Sequence, residues 1–441
     1  MRVPERTGKT FMNSAPQAQA PPATEENTRS PLGRFGRLPQ LAGGGFLPLG
    51  LFARLPLAML TVGALALVQA ATQSYAIGGY AAGAVGIGSA AGAPVFGYLA
   101  DRTGQRPVLL VAAAANTLAI CGLIATTYLV PGSGTGSLLL ILASALVMGA
   151  TCPQVGPLAR VRWMALTDRA GGQRDLDTAL SYESTADELT FVLGPALVGL
   201  LASILAPWLP LALAALITIT LVSAFAVHRT HHVVAAIPRK TVSAHRSDPA
   251  ARQLTNWWPI SIPVLGMICM GTFFGSTQTA LFAFAGAGSG TAAAGGLLYA
   301  AMGLSSAAAA LSVAYWPVTF SHPARWTTAA AAMVALTLLL VLPQAAPAML
   351  LALFVLGFSV GPTMVTIFSV AGDIAPRNRL GTVMTLLASG TVAGTAIGSA
   401  IGGGIAERAG YTAAFAVPTS AAALLLALGI ITMITHRRQV P

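Results

Sequence analysis

A chain of 441 residues with 55% hydrophobic and only 8% charged side chains cannot be an ordinary water-soluble globule, because soluble domains carry roughly 25% charged residues. Its net charge of +11 is not gathered on any soluble domain, as a nucleic-acid binder would require. Cys121, Cys152 and Cys269 lie singly in apolar runs, so neither a disulfide framework nor a metal site is indicated.

Residues 1–45, rich in Pro, Gln, Ala and Thr and without helical periodicity, read as a disordered cytoplasmic tail. Beyond them, apolar runs recur at the length of roughly 20 residues that crosses a bilayer core. They predict an all-α membrane protein of twelve helices, over 50–70, 76–100, 107–130, 137–157, 180–205, 208–227, 259–284, 291–315, 326–343, 347–370, 380–405 and 412–434. One long polar connection, 228–258, divides them into a half over 46–227 and a half over 259–434, with a cytoplasmic tail at 435–441. Gly149 and Pro153 of the fourth span are echoed by Gly357 and Pro362 of the tenth, and such internal repeats are typical of secondary transporters.

Orientation follows from the Lys and Arg residues. With these boundaries 22 of the 24 fall on one side, among them Arg160, Arg162, Arg169 and Arg174 in the fourth connection. Arg408 stands on the other side and Arg54 in the first span. Both termini are therefore expected in the cytoplasm, in the cell membrane. The six Trp residues, Trp163 and Trp326 included, are expected at span ends, where an indole sits at the interface.

The second connection reads Gly97-Tyr98-Leu99-Ala100-Asp101-Arg102-Thr103-Gly104-Gln105-Arg106. Gly97 and Gly104 suit a tight crossing and a tight turn, and Asp101 beside Arg102 and Arg106 forms a charge cluster that can break and re-form. This segment closely resembles the cytoplasmic signature of the major facilitator superfamily, G-x-L-a-D-r-x-G-r-k/r. With the six-plus-six layout, the resemblance extends over the whole membrane portion. It implies two pseudo-symmetric six-helix halves that alternate access around a central cavity, with the signature as a gating element. The equivalent loop of the second half, through Trp316-Pro317 to Arg325, lacks the signature.

In the fifth span, Gly194-Pro195 with Gly199 resembles part of the antiporter motif of the drug/proton antiporter branch. Thr190 and Val198 stand where that motif has glycines, and a plain packing kink remains the alternative. The branch implies proton-coupled efflux of a small amphipathic compound; proton-linked uptake or sugar and metabolite efflux is the other transport reading.

Asp187 and Glu188 fall about 10 Å into the predicted fifth span, counted at 1.5 Å per residue, with Glu183 one turn before. A carboxyl in such surroundings is a candidate to exchange protons; the alternative is a set of rim ion pairs with Arg160 or Arg162. Arg54 either faces the cavity or snorkels to the headgroups. Gln278, near Phe274, either meets substrate or bonds neighbouring helices. Gly394, Gly398 and Gly402 read as helix packing.

No enzyme is indicated: Gly8-Lys9-Thr10 has Val3 in place of the first Gly of a phosphate loop, and Gly86-Ile87-Gly88 has no strand before it. The expected partners are a small molecule, a proton and the lipid bilayer, with no nucleic acid and no cofactor beyond the proton gradient, and the chain is expected to work as a monomer.

Overall fold

The computed structural model describes residues 33–129, 135–170, 172–234, 257–287 and 292–437. The expected tail up to residue 32, most of the central loop and the last four residues lie outside them. Among the described residues there is no strand, and twelve helices are long and apolar enough to cross a membrane. They are Phe46–Thr72, Ile77–Thr103, Gln105–Leu129, Gly136–Ala170, Gln173–Ile204, Leu209–Val227, Trp258–Ala287, Gly295–Tyr315, His322–Val341, Ala346–Ile374, Arg377–Ala414 and Ala416–Thr435. These are the first to twelfth spans below. Leu118 and Leu129 are 72% and 77% exposed on the outer surface, a placement that suits hydrocarbon rather than water.

Each half has its own apolar core. Leu60, Ala64 and Leu67 of the first span pack with Val85, Ile120, Met148 and Leu211. Met267, Met270 and Phe273 of the seventh pack with Leu353, Val383 and Leu387. The seventh and eleventh spans meet backbone to backbone: a methyl at Gly394 or Gly398 would lie 2.1 Å from the carbonyl oxygen of Ile268 or Thr272. Between helices in lipid, where apolar burial supplies little drive, such close approach is a main source of packing energy.

Four expectations are corrected. The fourth helix does not end at 157: it breaks over Thr151–Gln154, around Pro153, and resumes as Val155–Ala170, so Arg160 and Arg162 are fully buried rather than in a loop. The fifth helix begins at Gln173 rather than 180, which puts Asp187 about 21 Å along it at 1.5 Å per residue, near the middle of the helix. Residues 33–42 of the expected tail form a 3-10 turn, Gly33–Gly36, and a helix, Arg37–Ala42, because Leu38 and Ala42 pack into the core of the first half. Trp163 and Trp326 are likewise fully buried instead of interfacial.

The end of the bundle that carries Thr103, Ala170 and Arg377 is called the signature face. There the second helix stops at Gly104, whose φ of +90° needs a residue without Cβ, and the third begins at once at Gln105.

Candidate functional site

The chemistry gathers where the first, fourth and fifth spans meet. The first span is interrupted at Arg54, between the helices Phe46–Ala53 and Leu55–Thr72, and Pro56 follows, a residue that suits a helix start because it lacks an N–H. The Arg54 side chain therefore turns inward, is 3% exposed, and spends its donors on four acceptors. Nε donates to the Gly50 carbonyl at 2.9 Å, Nη1 to the Glu183 carbonyl at 3.1 Å and to Asp187 Oδ1 at 2.7 Å, and Nη2 to Glu183 Oε2 at 2.5 Å. Arg160 Nη2 holds the other Asp187 oxygen at 2.8 Å, and its guanidinium lies 3.8 Å from the centroid of the Phe368 ring in the tenth span. Trp163 Nε1 donates to Glu183 Oε1 at 2.8 Å.

Asp187 and Glu183 are thus each satisfied by cations, and the two carboxylates balance the two guanidiniums. Of the two readings left open for Arg54, its burial excludes snorkelling: it borders a cavity between the halves and serves there as the counter-ion of the fifth span. Asp187 pairs with Arg160 as the ion-pair reading had it, near the middle of its helix. A buried pair of this kind is costly to break from one side, because the partner charge is left unpaired.

Glu188 differs from its neighbours. It is 7% exposed and turns toward the second half of the molecule, where the Ser306 hydroxyl of the eighth span donates to its Oε1 at 2.9 Å. Among the described residues no Lys, Arg or His is within ion-pair distance of it. One turn earlier the Thr185 hydroxyl reaches the Ala307 carbonyl at 3.0 Å, so the contact between the fifth and eighth spans is polar for at least one turn.

Two cavities lie between the halves. The central one, about 50 Å³, is lined by Arg54, Arg160, Asp187 and Gln154 together with Phe191, Phe368 and Met364. The larger, about 660 Å³, opens at the signature face beside Asp101, Asp168, His322, Asp373 and Arg377. The central cavity combines buried charge with aromatic and thioether walls, the mixture that binds an amphipathic ligand, and is far below the roughly 300 Å³ of an occupied small-molecule pocket. Gln278 and Phe274 of the seventh span are half-buried and outside its lining; Phe274 packs on the core of the second half.

At the signature face Asp101 does not join Arg102 and Arg106 in a cluster. Its carboxylate crosses to the other half and accepts from the Gly381 amide at 2.9 Å, the Thr382 amide at 2.8 Å and the Thr382 hydroxyl at 2.6 Å. These amides open the eleventh helix, where unpaired N–H groups and the helix dipole favour an anion. Gly97 permits the approach, since a Cβ there would sit 2.0 Å from Thr385 Oγ1. Arg102 stacks over its neighbour Tyr98, 4.3 Å from the ring centroid, and Arg106 is exposed. Nearby, His322 bridges Asp373 at 2.6 Å and Asp177 at 3.4 Å, and Arg325 reaches Asp177 at 3.3 Å.

In the fifth span the helix runs unbroken through Pro195. Gly194 is a close-packing position, with a Cβ there 2.6 Å from that of Ala58, whereas Gly199 faces open space. Sequence reasoning placed Arg160 and Trp163 at a span end rather than inside the bundle and missed Ser306 and Thr382. The first two follow Pro153 and Pro157 in a stretch too polar to read as membrane helix. The two hydroxyl residues carry no signal until their partners are known.

A family model described as Major Facilitator Superfamily matches residues 46–386 and 323–441. Among solved structures, the fold is similar to that of the human organic anion transporter MFSD10, at 19% identity over 88% of this chain and 98% of that one, with a TM-score of 0.66. It is also similar to a bacterial homologue of the iron transporter ferroportin in an outward-facing state, at 13% identity over 88% and 99% with a TM-score of 0.64. For the E. coli fucose:proton symporter the identity is 15% over 87% and 98%, and the TM-score is 0.61. At these identities the likeness is one of fold. The curated protein sequences give no significant match.

Proposed function

This chain belongs to the major facilitator superfamily and is by family and fold a multi-pass membrane transporter, and we propose that it exports a small amphipathic compound in exchange for protons that bind at Glu188. The carrying observation is the contrast within one helix. Glu183 and Asp187 are neutralised by Arg54 and Arg160, whereas Glu188 is buried, lacks a cationic partner among the described residues, and lies on the surface where the two halves meet. An uncompensated carboxyl within a membrane span is where a coupling proton is best accommodated.

The substrate binds in the central cavity, against Phe191, Phe368 and Met364 and beside Gln154. Its small volume belongs to a conformation closed around the site, so loading requires the halves to separate. Export rather than uptake is supported by the Gly194-Pro195 pair, the part of the antiporter pattern that the chain retains. The protein works in the cell membrane as a monomer, with both termini in the cytoplasm, an orientation that the Lys and Arg bias supports. With Arg160 and Arg162 moved into the bundle, 20 of the 24 remain on that side.

In proteoliposomes, Glu188→Gln is expected to abolish substrate movement driven by a pH gradient and to leave substrate exchange without a gradient intact, because exchange requires no net proton release. Full gradient-driven transport by Glu188→Gln defeats the assignment. Inward accumulation driven by the proton gradient would replace export by uptake at the same site.

A further inference from the structure

Ser306 belongs to the eighth span, yet its one hydrogen bond to another half is to the carboxylate of Glu188 in the fifth. The serine is fully buried, and its backbone is held firmly within its own half. A Cβ on Gly361 of the tenth span would lie 2.1 Å from the Ser306 carbonyl oxygen, and one on Gly357 2.9 Å from the Ser306 amide nitrogen. The eighth and tenth spans therefore move as a pair, and the Ser306 hydroxyl moves with them. Facing it, Glu188 moves with the first half.

We propose that Ser306 is the positioning residue of the proton step: it donates to the anion of Glu188 only while the fifth and eighth spans are in contact, so a residue of one half sets the proton affinity of a carboxyl in the other. The proposal rests on the reading of Glu188 as the proton site. When the hydroxyl is in place, the ionised carboxylate gains a charge-assisted hydrogen bond and the proton is released at lower pH than it would be without it. When the halves part at this contact, the donor leaves with the eighth span and the affinity changes. Proton exchange and alternation are linked at a single contact, without a chain of relays.

The carboxylates beside Glu188 do not offer this link. Asp187 and Glu183 on its own helix are bound by Arg54 of the first span and Arg160 of the fourth. Tyr299, on the eighth span, is the further titratable group that interacts with Glu188. Thr185 bonds a backbone carbonyl across the same contact, which joins the halves in a manner independent of pH.

The test uses the purified full-length protein in lipid, with the infrared carbonyl band of a protonated carboxyl followed against pH and assigned to Glu188 by its loss in Glu188→Gln. The pH profile of gradient-driven transport is measured alongside. Ser306→Ala is expected to move the midpoint of the band and the transport profile to higher pH by about one unit, the size expected for a hydrogen bond to a charged group. Ser306→Thr, which keeps the hydroxyl, should restore the original midpoint. An unchanged midpoint in Ser306→Ala, or a shift to lower pH as expected if a protonated Glu188 donates to the serine, overturns the proposal. Should Ser306→Ala not be recovered folded, Ser306→Cys, a weaker donor, must shift the midpoint in the same direction. If the band and the pH dependence both survive in Glu188→Gln, it is the proton-site reading that fails, and the two failures are distinct.

Discussion

Asp187 and Glu188 are adjacent carboxylates on one helix, yet their neighbours give them opposite roles. Asp187 takes one guanidinium on each oxygen, Arg54 at 2.7 Å and Arg160 at 2.8 Å, and Arg54 in turn holds Glu183. Removing the charge at Asp187 leaves Arg160 without its ion-pair partner in a water-poor interior, a change of the kind that costs about 3–5 kcal/mol. Asp187→Asn should therefore lower the thermal unfolding temperature and the yield of folded protein, while Glu188→Gln, which breaks no ion pair, should leave both near the wild type. Unfolding in detergent, followed by intrinsic fluorescence, checks this: equal stability of the two variants would mean that the Arg54–Asp187–Arg160 arrangement contributes nothing to the fold. The sequence marked all three carboxylates as informative but could not separate them. Their fates depend on Arg160, which hydropathy placed in a loop because the helix that carries it is polar. Its polarity is internal, met in part by Asp187 and by the face of Phe368.

Helix–helix contact was legible where glycine recurs at intervals of four. Gly394, Gly398 and Gly402 read as packing residues and do abut the seventh span. For the Gly194-Pro195-Gly199 group the sequence leaves bending and close packing open, and the structure divides it. Gly194 lies under Ala58, where a methyl would meet another Cβ at 2.6 Å, while Gly199 has nothing within 4 Å. Sequence spacing cannot make this division, since one helix alone does not say which of its faces is covered. Gly194→Val should separate the first and fifth spans and disturb the Arg54 ion pairs built on them, lowering both stability and transport. Gly199→Ala should be tolerated, and should even gain about 0.5–1 kcal/mol from the better helix propensity of alanine. Thermal unfolding and transport measured on both variants decide the matter; loss of transport in Gly199→Ala at normal stability would show that this glycine bends during the cycle.

The ion pairs that join the halves among the described residues, His322 and Arg325 to Asp177 and Arg377 to Asp168, all lie at the signature face. Arg34, just before the first span, adds a hydrogen bond to the Ala314 carbonyl at the end of the eighth. These bonds tie the halves together around the mouth of the larger cavity, and a conformation open more widely at that face must break them together. The exposed Arg377–Asp168 pair contributes little. The larger share falls to Asp101, whose three accepted hydrogen bonds hold the start of the eleventh helix against the second. The segment was legible in the sequence as a signature, but the partner of Asp101 was not, because a helix N-terminus recognises an anion through backbone amides that no side chain announces. Asp101→Asn keeps the shape of the side chain and removes its charge, so it should weaken this closure by about 1.5–3 kcal/mol and shift the balance between conformations about tenfold or more toward opening at the signature face. A cysteine replacing Ser369, which lines the cavity at that face and is 4% exposed, should then react faster with a bulky thiol reagent applied from the signature side. A cysteine replacing Ser89, on the central cavity, should react more slowly with reagent from the opposite side. Transport should fall while the amount of protein in the membrane holds, since no ligand contact is altered. Unchanged reactivity at both positions would show that the bond between Asp101 and the eleventh helix does not govern which face is open.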